Sequence, residues 1–269
     1  MLIIYISSQP LRLRSGQSAI HFCVVEKRMS LSWEAIAQKT QQRRDATIAL
    51  IQPPLPDIKT LPLDSTPVAR DILTTEEIKI TEFDPTTLIS QLASGDLSST
   101  TVTSAFLRRA GLAQKLVNCV TELLPQAALS RAAFLDEHLR TNGKPVGPLH
   151  GLPISAKELI GFKGLTLDAA FVAWHDRIAD QNAHILDILL DAGAVLYART
   201  TEPQTLMHLE TDSNLYGVTV NPFNRNLSAG GSSGGEGALI GMRGSCLGIG
   251  TDIGGSIRFL HTFPAEIIV

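Results

Sequence analysis

The stretch "AGGSSGGEGALIGMRGSCLGIGTDIGGSIR", Ala229–Arg258, decides the fold. Eleven of the chain's 21 glycines lie between Gly230 and Gly255. Glycine adopts positive φ readily and lets main-chain N–H groups approach a ligand closely. The pattern predicts a tight turn entering a helix, then a strand of small residues over "SCLGIGTD", then a second turn at "IGGS". Ligands commonly bind where such turns leave the carboxyl ends of strands in α/β sheets.

From the residues alone, three interpretations of this glycine cluster compete. A phosphate-binding loop needs Gly-Lys-Ser/Thr at its end, and the cluster has none. Gly230-x-Ser232-x-Gly234 matches a nucleophile elbow formally. However, an elbow follows an apolar strand, whereas "NPFNRNLSAG" precedes this one, and the only downstream histidine, His261, is too close in sequence. The third interpretation is a glycine-rich turn with a purely structural role.

Helix and strand signals alternate ahead of this stretch. Asp84-Pro85 predicts the N-cap and first residue of a helix that Gly95 ends. A second helix is predicted to begin at Ser98 or Ser99, and "PQAALSRAAFLDEHLRTNG" predicts a third. Strand-like "LPISAK", helical "AHILDILLDAG" and strand-like "AVLYAR" follow. This order predicts an α/β fold with a largely parallel sheet covered by helices.

Two N-terminal segments have their own patterns. "SWEAIAQKTQQRRDATIAL" predicts a helix whose polar run, Gln41–Asp45, is expected to be a solvated face. "PPLPDIKTLPLDSTP" (Pro53–Pro67) predicts an extended arm over the surface, because proline fixes φ and lacks an N–H donor.

Composition excludes several classes of protein. The 269 residues are 44% apolar and carry a formal net charge of −3, which argues against disorder and against binding of nucleic acid or anionic membrane. No apolar run is long enough to span a membrane. The three widely spaced cysteines, Cys23, Cys119 and Cys246, are typical of reduced thiols and predict a cytoplasmic protein.

The first 30 residues are predicted to be an atypical N-terminal extension. They contain no acidic residue before Glu26, a composition that also suits a mitochondrial leader. We favour Met29 as the natural start.

A third motif, besides the two glycine- and serine-containing segments, contains an isolated lysine. Lys157 lies in "PVGPLHGLPISAKELIGFKG", 75 residues before Ser232, and Ser256 follows 24 residues after Ser232. Together with "GGSSGGEGAL" and "GTDIGGSIR", these spacings resemble the amidase signature family, most closely the fungal acetamidase-like general amidases. The resemblance covers roughly residues 31–258.

This resemblance implies a fold, a mechanism and a site. The implied fold is α/β/α, a mixed twisted sheet covered by helices. The implied reaction is hydrolysis of a small carboxamide without cofactor or metal, through an acyl-enzyme on Ser256. Ser232, held in a cis peptide, would relay the proton of Ser256 to neutral Lys157. The implied contacts to substrate and oxyanion come from Leu206 and Ser232 and from the N–H groups of Ile253, Gly254, Gly255 and Ser256.

Chemistry adds three expectations to this assignment. Lys157 must lose its proton to act as a base, and burial favours the neutral amine. Glu158 would oppose this unless its side chain points to the other face of the strand, as alternation predicts. Asp252 and Arg258 are expected to pair structurally around their loop.

The sequence departs from the family pattern after Arg258, where "FLHTFPAEIIV" ends the chain. We therefore expect a fold that is incomplete at the C-terminus, with a domain over residues 31–258 and a divergent tail over 259–269. A catalytically inactive truncated remnant and an amidotransferase A-type subunit stay open as alternatives to the amidase, and a homodimer stays open as its assembly.

Overall fold

A four-stranded mixed sheet organises the fold in a computed structural model that describes residues 31–262. The extension predicted for residues 1–30 and part of the predicted tail, residues 263–269, lie outside the described residues. The strands are β1 (Val120–Leu123), β2 (Pro153–Lys157), β3 (Val195–Thr200), β4 (Asp212–Ser213), β5 (Gly217–Val218) and β6 (Gly248–Ile249).

The strand order of this sheet is β1-β3-β2-β6, and β4 and β5 form a separate antiparallel pair. β1 runs antiparallel to β3, whereas β3, β2 and β6 are parallel to one another. In the register of β2, Lys157 lies beside Thr200 of β3 and Ala156 beside Ile249 of β6. The carboxyl ends of three parallel strands therefore meet at one edge. The predicted α/β class and mixed sheet are confirmed.

Eight α-helices surround the sheet within the described residues. Asp84 caps α4 through a hydrogen bond from the Thr87 N–H to its side chain, and Gly95 ends that helix at φ 80°, as predicted. Ser98 is the N-cap of α5. The helices are α1 (Trp33–Ala49), α2 (Ala69–Ile72), α3 (Thr75–Glu82), α4 (Pro85–Ser94), α5 (Ser99–Val117), α6 (Pro125–Asn142), α7 (His184–Asp191) and α8 (Gly234–Gly241).

The hydrophobic core lies between α5 and the sheet. Helix α5 is buried along most of its length, as expected for a helix surrounded by other elements. The ring of Phe106 on α5 meets that of Tyr197 on β3 edge to face, with centroids 6.2 Å apart. The Tyr197 hydroxyl donates to the Gly244 carbonyl. This hydrogen bond holds the loop after α8 against β3, an interior strand of the sheet.

Two local expectations are met only in part. In the run Gln41–Asp45, Gln42 and Asp45 are exposed, but Arg44 is buried and its Nη1 donates to Asn118 Oδ1 at 3.0 Å. Arg43 reaches 3.9 Å from the buried carboxylate of Asp168. Long polar side chains can reach partners distant in sequence, and the helical pattern does not reveal these partners. The strand predicted over "SCLGIGTD" is short, since only Gly248–Ile249 pairs with β2.

Among the helices of residues 31–262, none combines the length and the apolar character that a membrane span requires. Cys119 and Cys246 are both free thiols. The cytoplasmic location, the homodimer and the domain bounds stay predictions.

Candidate active site

Lys157 is the last residue of β2 and has no exposed surface. The sheet places it at the edge where β3 and β6 also end. Its Nζ lies 2.6 Å from Ser232 Oγ, 3.2 Å from Ser233 Oγ and 3.0 Å from Thr251 Oγ1. Three hydroxyl groups therefore surround one buried amine, and two of them, on Ser233 and Thr251, were not predicted from the sequence.

Close packing of backbone fixes the position of Ser232. A Cβ on Gly231 would lie 2.7 Å from the His208 carbonyl oxygen and 2.9 Å from Glu210 N, so this residue has to be glycine. The peptide bond between Gly231 and Ser232 is cis, as the family resemblance implies. The Thr211 hydroxyl donates to the Gly230 carbonyl at 2.9 Å and accepts from the Gly234 N–H at 3.0 Å.

Ser256 lies in the loop after β6 and is buried, with 8% of its surface exposed. Its carbonyl oxygen accepts a hydrogen bond from the Ser233 N–H at 3.2 Å, which links the two serine-containing loops. Within residues 31–262, no hydrogen bond joins the Ser256 hydroxyl to Ser232. The structure thus brings Lys157 and Ser232 into direct contact and places the backbone of Ser256 against Ser233, the residue after Ser232.

The loop that precedes Ser256 is organised by Asp252. Its carboxylate accepts hydrogen bonds from the N–H groups of Gly255, Ile257 and Arg258 at 2.7, 3.0 and 3.0 Å. The Arg258 guanidinium adds a two-point ion pair, with contacts of 2.9 and 3.1 Å. These bonds hold the pKa of Asp252 well below its usual range. The predicted structural pairing of Asp252 and Arg258 is confirmed.

The remaining predicted contacts lie around the same loops. Ile253 is 85% exposed and Gly254 is also exposed, while the Gly255 N–H is donated to Asp252. Leu206 is half-buried and adopts φ 62°. The residues that follow it, 208–210, pack on Gly231. Their roles at an oxyanion or substrate stay predictions.

A model of the family described as Amidase matches residues 101–265, which is more than half of the chain and includes Lys157, Ser232 and Ser256. The chain belongs to the Amidase family. It is 46% identical to an acetamidase of Emericella nidulans over 242 residues, a match that covers 87% of this chain and 43% of that protein. It is 48% identical to an amidase of Gibberella moniliformis over 190 residues, which covers 70% of this chain and 36% of that protein.

Solved structures agree with this membership. The fold superimposes on a fatty acid amide hydrolase with a TM-score of 0.79 at 38% identity, over 85% of this chain and 42% of that one. The chain therefore spans less than half the length of the curated and structural Amidase-family relatives it matches here.

The electrostatics of this Amidase-family site centre on Lys157. Burial lowers the pKa of its amine from 10.5 to about 8, while the charges of Glu202, Glu236 and Asp252 act in the opposite direction. Glu158 points away from the amine, as predicted. Its carboxylate accepts the N–H groups of Asp168 and Ala169, each at 2.9 Å.

Two buried acids near the lysine were not predicted. Glu236, on α8, accepts hydrogen bonds from Ser155 Oγ at 2.6 Å and Thr200 Oγ1 at 2.7 Å, and burial raises its pKa to about 7. Glu202 follows β3, and burial raises its pKa well above the usual range. Glu236 could have been suspected from the sequence, because an acid inside "GGSSGGEGAL" breaks a run of small and apolar residues.

Arg199 forms ion pairs on the face of the sheet opposite to Lys157. Its guanidinium lies 2.7 Å from Glu122 Oε1 and 3.4 Å from Glu158 Oε1, and it also donates to the Glu158 carbonyl. This ion-pair cluster fixes the strand ends that carry Lys157. Across residues 31–262, no group of three His, Cys, Asp or Glu side chains forms a candidate metal site.

Proposed function

We propose that this chain hydrolyses a small carboxamide to a carboxylic acid and ammonia, with Ser256 as nucleophile, Ser232 as proton relay and Lys157 as base. The observation that carries the proposal is the 2.6 Å contact between the buried amine of Lys157 and the Ser232 hydroxyl. A serine hydroxyl reacts at neutral pH only when a neighbour accepts its proton. A buried lysine with a lowered pKa can do so.

The proposed reaction balances in two stages. Ser256 Oγ attacks the amide carbon, and its proton passes to Ser232 Oγ while the Ser232 proton passes to Lys157 Nζ. The C–N bond then breaks, the nitrogen leaves as ammonia with the transferred proton, and an ester to Ser256 remains. Water attacks this ester by the same relay and releases the acid. No cofactor is required.

The names of the relatives support an amide as substrate. One of them is called an acetamidase and another a fatty acid amide hydrolase. Donors for the developing oxyanion are proposed to be the N–H groups of Ile253, Gly254, Gly255 and Ser256. Because the Gly255 N–H binds Asp252 in the structure, this donor would have to change partner during the reaction. Leu206 is proposed as a substrate contact.

Covalent labelling tests the nucleophile. A serine-directed phosphonate is expected to add to Ser256, as detected by intact-protein and peptide mass spectrometry. The Ser256→Ala variant is expected to lose the label, and the exposed Ser94→Ala variant to keep it. Label that persists in Ser256→Ala would reject the assignment.

The second candidate is that the protein is catalytically inactive: it retains the residues of the site but does not hydrolyse an amide. It is favoured by the absence, within residues 31–262, of a hydrogen bond between the Ser256 and Ser232 hydroxyls. Folded chain that takes no phosphonate and releases no ammonia from acetamide would support this second candidate over the first.

The rate of labelling should depend on pH through Lys157. The neutral amine accepts a proton and the ammonium cannot, so the rate should rise with pH through about 8 and then level off. The measurement is the pseudo-first-order rate of phosphonate addition between pH 6 and 10. A rate that falls as pH increases across this range would contradict the role of a neutral lysine.

A further inference from the structure

Glu236 is a fully buried acid to which the proposed reaction assigns no role. It lies in the first turn of α8, four residues after Ser232, and none of its surface is exposed. The other residues of α8 are all glycine, alanine, leucine or isoleucine. Removing an acidic side chain from water costs free energy, so an apolar residue would be buried here more favourably. The carboxyl is therefore expected to have a specific role.

The carboxyl of Glu236 contacts all three parallel strands. Oε2 accepts a hydrogen bond from Ser155 Oγ of β2 at 2.6 Å, and Oε1 accepts one from Thr200 Oγ1 of β3 at 2.7 Å. On β6, a Cβ on Gly248 would overlap with Oε2 and would lie 3.1 Å from Cδ, so the strand needs glycine to leave room for the carboxyl. One side chain of α8 thus fixes the helix against β2, β3 and β6.

The bond to Ser155 lies on the same face of β2 as the candidate site. Ser155 and Lys157 are two residues apart, and alternation along a strand places their side chains on one face. Lys157 Nζ contacts Ser232 Oγ, and Ser155 Oγ contacts Glu236, each at 2.6 Å. Two side-chain contacts therefore join the segment from Ser232 to Glu236 to the same face of the strand.

The neighbouring N–H groups of α8 bind a different part of the chain. The Gly234 N–H donates to Thr211 Oγ1 at 3.0 Å, and the Gly235 N–H donates to the Thr201 carbonyl at 3.2 Å. Both acceptors follow β3 in the sequence. Glu236 supplies the link from α8 to β2, the strand that carries Lys157.

We propose that Glu236 is a positioning residue, which holds the Ser232 hydroxyl at the amine of Lys157 by bonding α8 to β2 and β3. The inference rests on the proposed function, in which Ser232 passes a proton to Lys157. Proton transfer needs donor and acceptor within hydrogen-bond distance, and a displacement of about 1 Å can cost about 10²-fold in rate. Loss of the carboxyl should therefore slow attack by Ser256 although every reacting group is still present.

Replacing Glu236 by alanine tests the inference. The Glu236→Ala variant should add a serine-directed phosphonate at Ser256 about 10²-fold more slowly, as a second-order rate at pH 8. The matched control is Asp136→Ala, because Asp136 on α6 also holds a helix end: its carboxylate accepts the Ser99 and Thr100 N–H groups at 2.5 and 3.0 Å. It should lower the urea midpoint but keep the labelling rate. A folded Glu236→Ala protein with an unchanged rate, or equal slowing in Asp136→Ala, overturns the inference.

The conservative Glu236→Gln variant should label within about threefold of the original rate, because an amide can replace both hydrogen bonds. Its carbonyl oxygen can accept from Thr200, and its NH₂ group can donate to Ser155 Oγ. The Ser155 hydroxyl can then donate to Ser245 Oγ, 2.8 Å away, which donates to the Leu247 carbonyl at 3.1 Å. A Glu236→Gln protein that labels as slowly as Glu236→Ala would contradict positioning through these hydrogen bonds.

A double-mutant cycle separates positioning from general damage to the fold. In Lys157→Met the relay has lost its base, so adding Glu236→Ala should slow labelling by less than about twofold further. A further loss of about 10²-fold in this background, equal to that in the original protein, would assign Glu236 a purely structural role and overturn the inference.

Ser155→Ala removes the β2 end of the contact and leaves Glu236 in place. It should slow labelling about tenfold in the original protein and not in Lys157→Met. A folded Ser155→Ala protein with the original rate overturns the inference even if Glu236→Ala fails to fold. If Lys157→Met itself labels at the original rate, the proposed function is refuted and the inference with it. If Lys157→Met labels slowly while Glu236→Ala labels at the original rate, the inference alone is refuted.

Discussion

Replacing Lys157 by methionine is expected to slow phosphonate labelling of Ser256 about 10³-fold, because general-base assistance contributes about 10²–10⁴-fold to such steps. Methionine keeps a long, apolar side chain in the buried site but cannot accept the proton that Ser232 is proposed to pass on. The measurement is the second-order rate of labelling at pH 8. In the variant, the increase of this rate with pH that is attributed to the amine should also disappear.

The matched control for Lys157→Met is Lys163→Met. Lys163 is exposed and lies six residues further along the chain, so its replacement should leave the labelling rate within about twofold of the original. Circular dichroism and the urea midpoint establish that both variants are folded. A folded Lys157→Met protein that labels at the original rate would show that the lysine is not the base.

Replacing Gly235 by alanine is expected to destabilise the fold by about 3 kcal/mol, the upper part of the usual range for overpacking. A Cβ at this position would lie 2.4 Å from Thr201 N and 2.5 Å from its carbonyl oxygen. The Gly235 N–H donates to that same carbonyl at 3.2 Å. Because the obstructing atoms are backbone, α8 would have to move away from the end of β3. The urea midpoint of unfolding measures the loss.

Gly237→Ala, two residues along the same helix, is the control for Gly235→Ala. The nearest atoms to its Cβ are the flexible side-chain ends of Leu260, at 3.4 and 3.5 Å. Alanine also has the higher helix propensity, so the variant should match the original stability or exceed it by up to about 1 kcal/mol. Equal losses at both positions would indicate that the close approach of α8 to Thr201 is not the cause.

The sequence by itself determined the elements whose signals are local. Asp84-Pro85 and Gly95 predicted the two ends of α4 because capping depends on adjacent residues. "LPISAK" and "AVLYAR" predicted β2 and β3, and the motifs around Lys157, Ser232 and Ser256, with their spacing, resembled those of the family. The sequence did not predict β1, since four residues between two helices carry too little periodicity.

Only the tertiary structure decided what surrounds the lysine. Thr251, Glu202 and Glu236 come from three separate elements, and strand register and helix packing bring them to the end of β2. The same packing buries Arg44, which the local pattern predicted to be solvated. Helix caps and turns are set by neighbouring residues, but the pKa of a buried amine depends on charges and desolvation contributed by residues far away in sequence. The sequence therefore pointed to Lys157 as the proposed base, whereas the lowered pKa of its amine could be derived only from the fold.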